Sequence, residues 1–112
     1  MEILEINNTL YPIRFGMNAL RMFCKEQKIP LTGLADLAND ISLDEACMLI
    51  LCGLRDGARK QGQICNLTID DIADALDNDM DLITKAMTLF ADSFNTKDKG
   101  NENEETKSLK KK

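Results

Sequence analysis

The sequence has no histidine and no tryptophan, and only one tyrosine and four phenylalanines in 112 residues. Without an imidazole, neither Ser–His nor Cys–His catalysis can operate. A Ser–Lys arrangement needs a buried lysine, and Lys85 falls on a helix surface. Four cysteines are present, Cys24, Cys47, Cys52 and Cys65, but no C-x-x-C pair and no histidine to join them, which argues against zinc. No G-x-x-x-x-G-K phosphate loop occurs. Asp77-Asn78-Asp79-Met80-Asp81 opens like a calcium loop, but Leu82 stands where the sharp turn needs glycine and Thr88 where a bidentate acid is needed. The sequence therefore predicts a protein that is not an enzyme and carries no cofactor.

The scarcity of aromatics leaves the core to aliphatic residues and the six methionines. Met17, Met22, Met48, Met80 and Met87 either fill that core or line an adaptable protein-binding groove. Three of the four cysteines sit in apolar helical patterns, where a free thiol behaves as a small hydrophobe. Reduced thiols of this kind point to a cytoplasmic protein. The opening residues, MEILEINN, have no basic stretch leading into an apolar one, so no signal peptide is expected. The longest nearly apolar run, Ala46 to Leu54, is far short of the roughly 20 residues of a membrane span.

Charge is unevenly spread. Residues 1–94 hold 15 acids and 8 bases, a net of −7, whereas residues 95–112 hold 4 acids and 6 bases. An acidic body repels phosphate, so nucleic acid is not an expected partner. The segment 95–112 has one large apolar residue, Leu109, and cannot bury enough surface to offset chain ordering. The expected organisation is a single helical domain over 1–94 with a disordered charged tail over 95–112.

Within 1–94 the pattern predicts a mainly α fold, with an N-terminal β-hairpin and about five helices in a small bundle. Ile3, Leu4 and Ile6 lead into Asn7-Asn8, residues that tolerate positive φ in tight turns, and Leu10, Tyr11, Ile13 and Phe15 return. Pro12 marks an edge strand. Gly16 breaks the strand, and Met17, Leu20, Phe23 and Cys24 give a first helical stripe that Pro30 ends. Leu34, Leu37, Ala38 and Ile41 give a short second helix. Ser42-Leu43-Asp44-Glu45 is a capping box that starts a third helix, ended by Gly62. Thr68 caps a fourth, with Ile69, Ile72, Ala73 and Leu76 on one face. Asn78 or Asp79 starts a fifth, with Ile83, Met87, Phe90 and Phe94 as its stripe.

The third helix is the most informative. Ala46 to Leu54 is apolar on every side, so it must be covered on every side. Either it is the central helix of the core, or one of its faces meets a partner. Gly53 and Gly57 are spaced as G-x-x-x-G with Arg55 and Asp56 between them. That reads as close backbone packing within the domain, or as simple helix fraying.

Three phrases carry a family resemblance. They are Tyr11-Pro12-Ile13-Arg14-Phe15-Gly16-Met17-Asn18-Ala19-Leu20 at the hairpin-to-helix passage, Leu49-Ile50-Leu51-Cys52-Gly53-Leu54-Arg55-Asp56-Gly57-Ala58-Arg59, and Leu67-Thr68-Ile69-Asp70-Asp71-Ile72. Over residues 2–94 the chain resembles the tail assembly chaperones of long-tailed bacteriophages and prophages, including the gene-transfer-agent type. The resemblance implies a protein of the host bacterial cytoplasm that coats and solubilises the tape-measure protein before the tail tube grows around it. It implies self-association, possible contact with the tail tube protein, and absence from the mature virion. It also implies that a longer, frameshifted form can exist, with which Leu109-Lys110-Lys111-Lys112 is compatible. No membrane or nucleic acid takes part. On this reading the third helix contributes to client binding through Met48, Leu51, Cys52 and Arg55. The rival readings are an acidic helical regulatory adaptor of anti-repressor type and a minor structural tail or connector subunit.

Overall fold

The computed structural model describes residues 2–38 and 40–102. Strands β1 (Glu2–Ile6) and β2 (Thr9–Ile13) form an antiparallel hairpin closed by Asn7-Asn8. Asn7 and Asn8 have φ of 52° and 67°, the left-handed pair that a two-residue hairpin loop requires. Helix α1 (Met17–Gln27) follows, then a 3-10 helix (Leu31–Ala38), α2 (Leu43–Lys60), α3 (Ile69–Asn78) and α4 (Asp81–Glu102). The chain is thus mainly helical with an N-terminal hairpin, as its pattern predicts.

Helix starts follow the sequence closely. Ser42 and Glu45 bond reciprocally at the head of α2, at 3.1 and 2.8 Å. Thr68 and Asp71 do the same at the head of α3. At the end of α2 the Gly62 N–H donates to the Arg59 carbonyl and the Gln63 N–H to Ala58, at 3.1 and 2.8 Å. Gly62 has φ 71°, which is why glycine stands at this helix stop. The calcium-like stretch is a helix junction, where the Asp79 carboxylate accepts the Asp81 N–H at 3.1 Å.

Several boundaries differ from expectation. α1 ends at Lys28, held at φ 56°, and not at Pro30. The second helix is a 3-10 coil that starts earlier, at Leu31, and stops before Ile41. The buried stripe of α4 is Leu82, Ala86 and Phe90, with Ile83, Met87 and Phe94 half-buried beside it. In α1 it is Ala19, Leu20 and Phe23, while Met17 is exposed. In α1 Leu20 and Phe23 are buried as expected and Ala19 takes the place of Met17, whereas the α4 stripe keeps Phe90 but otherwise moves back by one residue to Leu82 and Ala86. No described methionine is fully buried, so aliphatics, Phe15, Phe23, Phe90 and two cysteines fill the core instead. The backbone of α4 runs to Glu102, eight residues past the composition boundary at Asn95. The rest of the segment expected as a tail, 103–112, lies outside the described residues.

Helix α2 is the central element, packing against α1, β2, α3 and α4. Its two glycines let β2 come close. A Cβ on Gly57 would fall on the Pro12 carbonyl oxygen and lie 2.6 Å from the Pro12 carbonyl carbon. A Cβ on Gly53 would lie 2.7 Å from the Phe15 ring. The close approach lets the Arg14 N–H donate to the Gly53 carbonyl at 3.0 Å.

Between these glycines sits Asp56, fully buried. Its carboxylate accepts from the Arg14 guanidinium at 3.1 Å, the Gly16 N–H at 3.2 Å and the Arg59 guanidinium at 2.8 Å. A buried carboxylate is tolerable only when paired and bonded in this way. α1 has no acid in its first turn and no side-chain cap, so Asp56 supplies from α2 the negative charge that its N-terminus favours. On the far side Phe15 meets Phe90 edge-on, centroids 5.8 Å apart, and the Ser93 hydroxyl donates to the Phe15 carbonyl at 2.8 Å.

Two stability outcomes follow from this junction. Gly57→Ala forces backbone apart rather than a side-chain tip, so urea unfolding is expected to show a loss of about 3 kcal/mol. Asp56→Ala removes the shared acceptor of three donors and is expected to lose about 3 kcal/mol, with Asp56→Asn, which keeps one oxygen acceptor, losing about half of that.

Candidate functional site

The four residues expected to bind a partner are split by the fold. Leu51 and Cys52 are each 1% exposed and belong to the core. They are covered by the chain itself, because α1, β2, α3 and α4 surround α2. Leu51→Asp would therefore put a charge in the core and unfold the domain, not probe a partner. Met48 is half-buried at the margin of the core and Arg55 is exposed. The surface reading of α2 is corrected to that extent: its apolar circumference is used internally.

The thiols on α2 reflect the same burial. Burial pushes the Cys52 thiol up to about 11, against a pull downward from Arg55 and a smaller push upward from Glu26. Burial, with help from Asp44, also raises Cys47, and burial alone raises Cys24. A thiol held protonated is a poor nucleophile and a poor metal ligand.

Among the described residues the large apolar side chains left exposed are Ile3 and Leu10 on the hairpin, Met17, Leu31, Leu43 and Met80 at or next to helix starts, and Ile64 in the α2–α3 connection; those of the hairpin border two grooves. Residues directly opposite in an antiparallel pair share a face. Leu4 with Tyr11 and Ile6 with Thr9 form the face whose leucine and isoleucines enter the core. Ile3 with Pro12, and Glu5 with Leu10, form the outer face. Ile3 is 54% exposed and Leu10 68%. This outer face is flanked by two grooves that share Leu10. One, of about 320 Å³, runs between β2 and the α2–α3 connection, with Leu54 and Ala58 on its floor and Cys65 and Leu67 on its wall. Ile64, 85% exposed, stands on its rim. The other, of about 500 Å³, runs between β1 and α4 and is lined by Ile3, Leu4, Leu10, Thr88 and Leu89 with Glu5 and Lys85 at its polar margin. Such volumes lie in the range of ligand-binding clefts, ~300–1,000 Å³.

The sequence carried one overlooked signal for this face. Alternation in Glu2–Ile6 is broken by Ile3, which puts an isoleucine on the side where a half-buried strand places polar residues. Leu10 breaks β2 in the same way. Ile64 gave no periodic signal, since it sits in the irregular connection between helices.

Stability should respond to alkaline pH through Cys52. Up to its ordinary value of 9.0 the thiol is protonated whether the chain is folded or not. Between there and about 11 the unfolded chain releases the proton while the folded chain keeps it, so stability falls as pH rises. The expected loss is about 2–3 kcal/mol, at about 1.4 kcal/mol per unit. In Cys52→Ala that component is absent, so the gap in unfolding free energy between the two proteins should narrow by this amount from pH 8.5 to pH 11.

Comparison with known proteins gives no relative to transfer a site from: no family model matches the chain, and neither the curated proteins nor the solved structures contain a match.

Proposed function

We propose that this protein is a phage tail assembly chaperone that binds and solubilises the tape-measure protein in the host bacterial cytoplasm and leaves before the virion is complete. One observation carries the reading. The two longest phrases of the resemblance, Tyr11–Leu20 and Leu49–Arg59, meet at one place, where Arg14 and Gly16 bond Asp56 and the β2 backbone crosses Gly53 and Gly57. Residues that look alike separately are accounted for by one shared structural requirement.

The mechanism is physical. A long client with apolar stripes aggregates when bare. The outer hairpin face, with Ile3 and Leu10, and Ile64 on the rim of the neighbouring groove cover such a stripe, and the acidic remainder keeps the complex dispersed. Many weak contacts along one client give a stable coat by avidity, yet each subunit can be displaced as the tube grows. Among the described residues no helix is long and apolar enough to cross a membrane, which agrees with a role away from one. Self-association along the client and contact with the tail tube protein belong to this same reading.

A second reading has its own support. Asp70, Asp74 and Asp77 are all exposed on α3, a row of carboxylates with which a regulatory adaptor could occupy a basic partner.

The deciding experiment is an affinity pull-down of the tagged chain from cells carrying its gene cluster, with mass spectrometry of what is retained. The tape-measure protein is expected. The double variant Leu10→Asp/Ile64→Asp should lose it while keeping the wild-type unfolding free energy to within about 0.5 kcal/mol, as exposed substitutions do. Recovery of a transcription regulator instead, lost with Asp70→Asn/Asp74→Asn, would replace the chaperone by the adaptor. Presence of the chain in purified particles would replace it by a structural subunit.

A further inference from the structure

The hairpin is a two-stranded sheet, and its two outer edges are treated differently. With the loop closed by Ile6 and Thr9, bonded and non-bonded pairs alternate back from the turn. Glu2, Leu4 and Ile6 bond to β2, and the N–H and C=O groups of Ile3 and Glu5 point away from it. The same alternation turns Leu10, Pro12 and Arg14 outward on β2. There α2 closes the far part of the edge: the Arg14 N–H reaches the Gly53 carbonyl, and Pro12 has no N–H to satisfy, while Leu10, next to the turn, stays open. On β1 the described residues provide no such closure. Among the described residues no backbone group outside the hairpin bonds to Ile3 or Glu5.

That open edge borders the groove of about 500 Å³ whose opposite wall is Thr88 and Leu89 of α4. A row of unpaired backbone groups beside an apolar groove is matched by one kind of ligand, an extended chain that supplies both a backbone ladder and side chains for the groove. A helix cannot supply the ladder, since its own amides are already used.

We propose that β1 accepts an extended segment of a partner protein as an added strand, one in which apolar residues alternate with basic or neutral polar ones. Side chains turned inward would meet Leu4 and Leu89. Those turned outward would pass Ile3 and Glu5 on a body whose residues 1–94 carry a net charge of −7, which favours lysine or arginine over acids. Lys85 stands at the other margin of the groove, so the residue nearest it is neutral. The proposal rests on the chaperone reading only for who the partner is. The open edge does not depend on it.

The test uses the full chain and a synthetic peptide of about six residues, the ordinary length of a strand, alternating valine with lysine and threonine. Binding is followed by amide chemical shifts and hydrogen exchange of the labelled protein. The Ile3 and Glu5 amides are expected to shift and to exchange at least about tenfold more slowly, the change that one net hydrogen bond brings. The same peptide N-methylated at alternate residues should not bind. Glu5→Pro removes an outward N–H without touching the ladder to β2 and should weaken binding about tenfold, whereas Glu5→Gln should not. Equal binding of the methylated peptide, shifts confined to the groove beside Ile64, or no binding at millimolar peptide would overturn strand addition. So would a dimer of the chain itself that Glu5→Pro dissolves, since the edge would then belong to a second copy. If the peptide binds at β1 but the pull-down recovers no tape-measure protein, strand addition stands and the chaperone reading falls. If wild type and Glu5→Pro recover that client equally and the methylated peptide still binds, strand addition falls alone.

Discussion

The arrangement depends on one buried carboxylate. Asp56 lies in the middle of the most apolar helix of the chain, at a position where an ionised group is costly in the absence of partners. Its partners come from three places: Arg14 at the exit of β2, the backbone of Gly16 at the head of α1, and Arg59 one turn further along α2. The carboxylate can reach the first two only if β2 lies almost against the helix backbone, and Gly53 and Gly57 permit that approach. The glycines and the acid are therefore one device. Neither is useful without the other, and together they fix where the hairpin sits and where α1 begins.

This device decides what is left on the surface. Once β2 occupies the glycine face of α2 and α1, α3 and α4 pack on it as well, most of its apolar run is covered by the chain, with Met48 half-buried and Arg55 exposed. Among the apolar residues that remain exposed are the two the hairpin turns outward, Ile3 and Leu10. A two-stranded sheet alone is marginal in water, so this one owes its order to the helices beneath it. The outer face then carries Ile3 and Leu10 without itself being part of the core. An apolar face on an element anchored elsewhere can change partners without unfolding the domain.

Most of the scaffold was legible in the sequence because its signals are local. The Asn7-Asn8 turn, the Ser42–Glu45 and Thr68–Asp71 heads and the Gly62 stop each act within a few residues. The close-packing reading of Gly53 and Gly57 also agrees with the structure. The candidate site was not legible, for a different reason. A run such as Ala46–Leu54 states that cover is needed but not whether the chain or a partner provides it, and that answer lies in tertiary packing. Leu51 and Cys52 were placed on a partner surface for want of it. Asp56 carries no local signal of its role, because nothing within four residues shows that Arg14, 42 positions away, will meet it. Ala19 in α1 and Ala86 in α4 were missed for a related cause, since alanine is a weak marker of an inward position in sequence.

The surface charge and the open edge together limit how strongly a partner can be held. Each net hydrogen bond made by Ile3 or Glu5 contributes about 1 kcal/mol, and burying Ile3 and Leu10 adds about 2 kcal/mol apiece at most. Against this stands an association cost of ~4 kcal/mol or more and the ordering of the extended segment. A single contact of this size is weak, and the short strand, flanked by Glu2 and Glu5, also discourages uncontrolled edge pairing. Weakness of this kind fits the coat proposed above, in which many copies hold one client and then yield it. A tight single-site inhibitor would need a deeper groove and a longer edge than this hairpin offers.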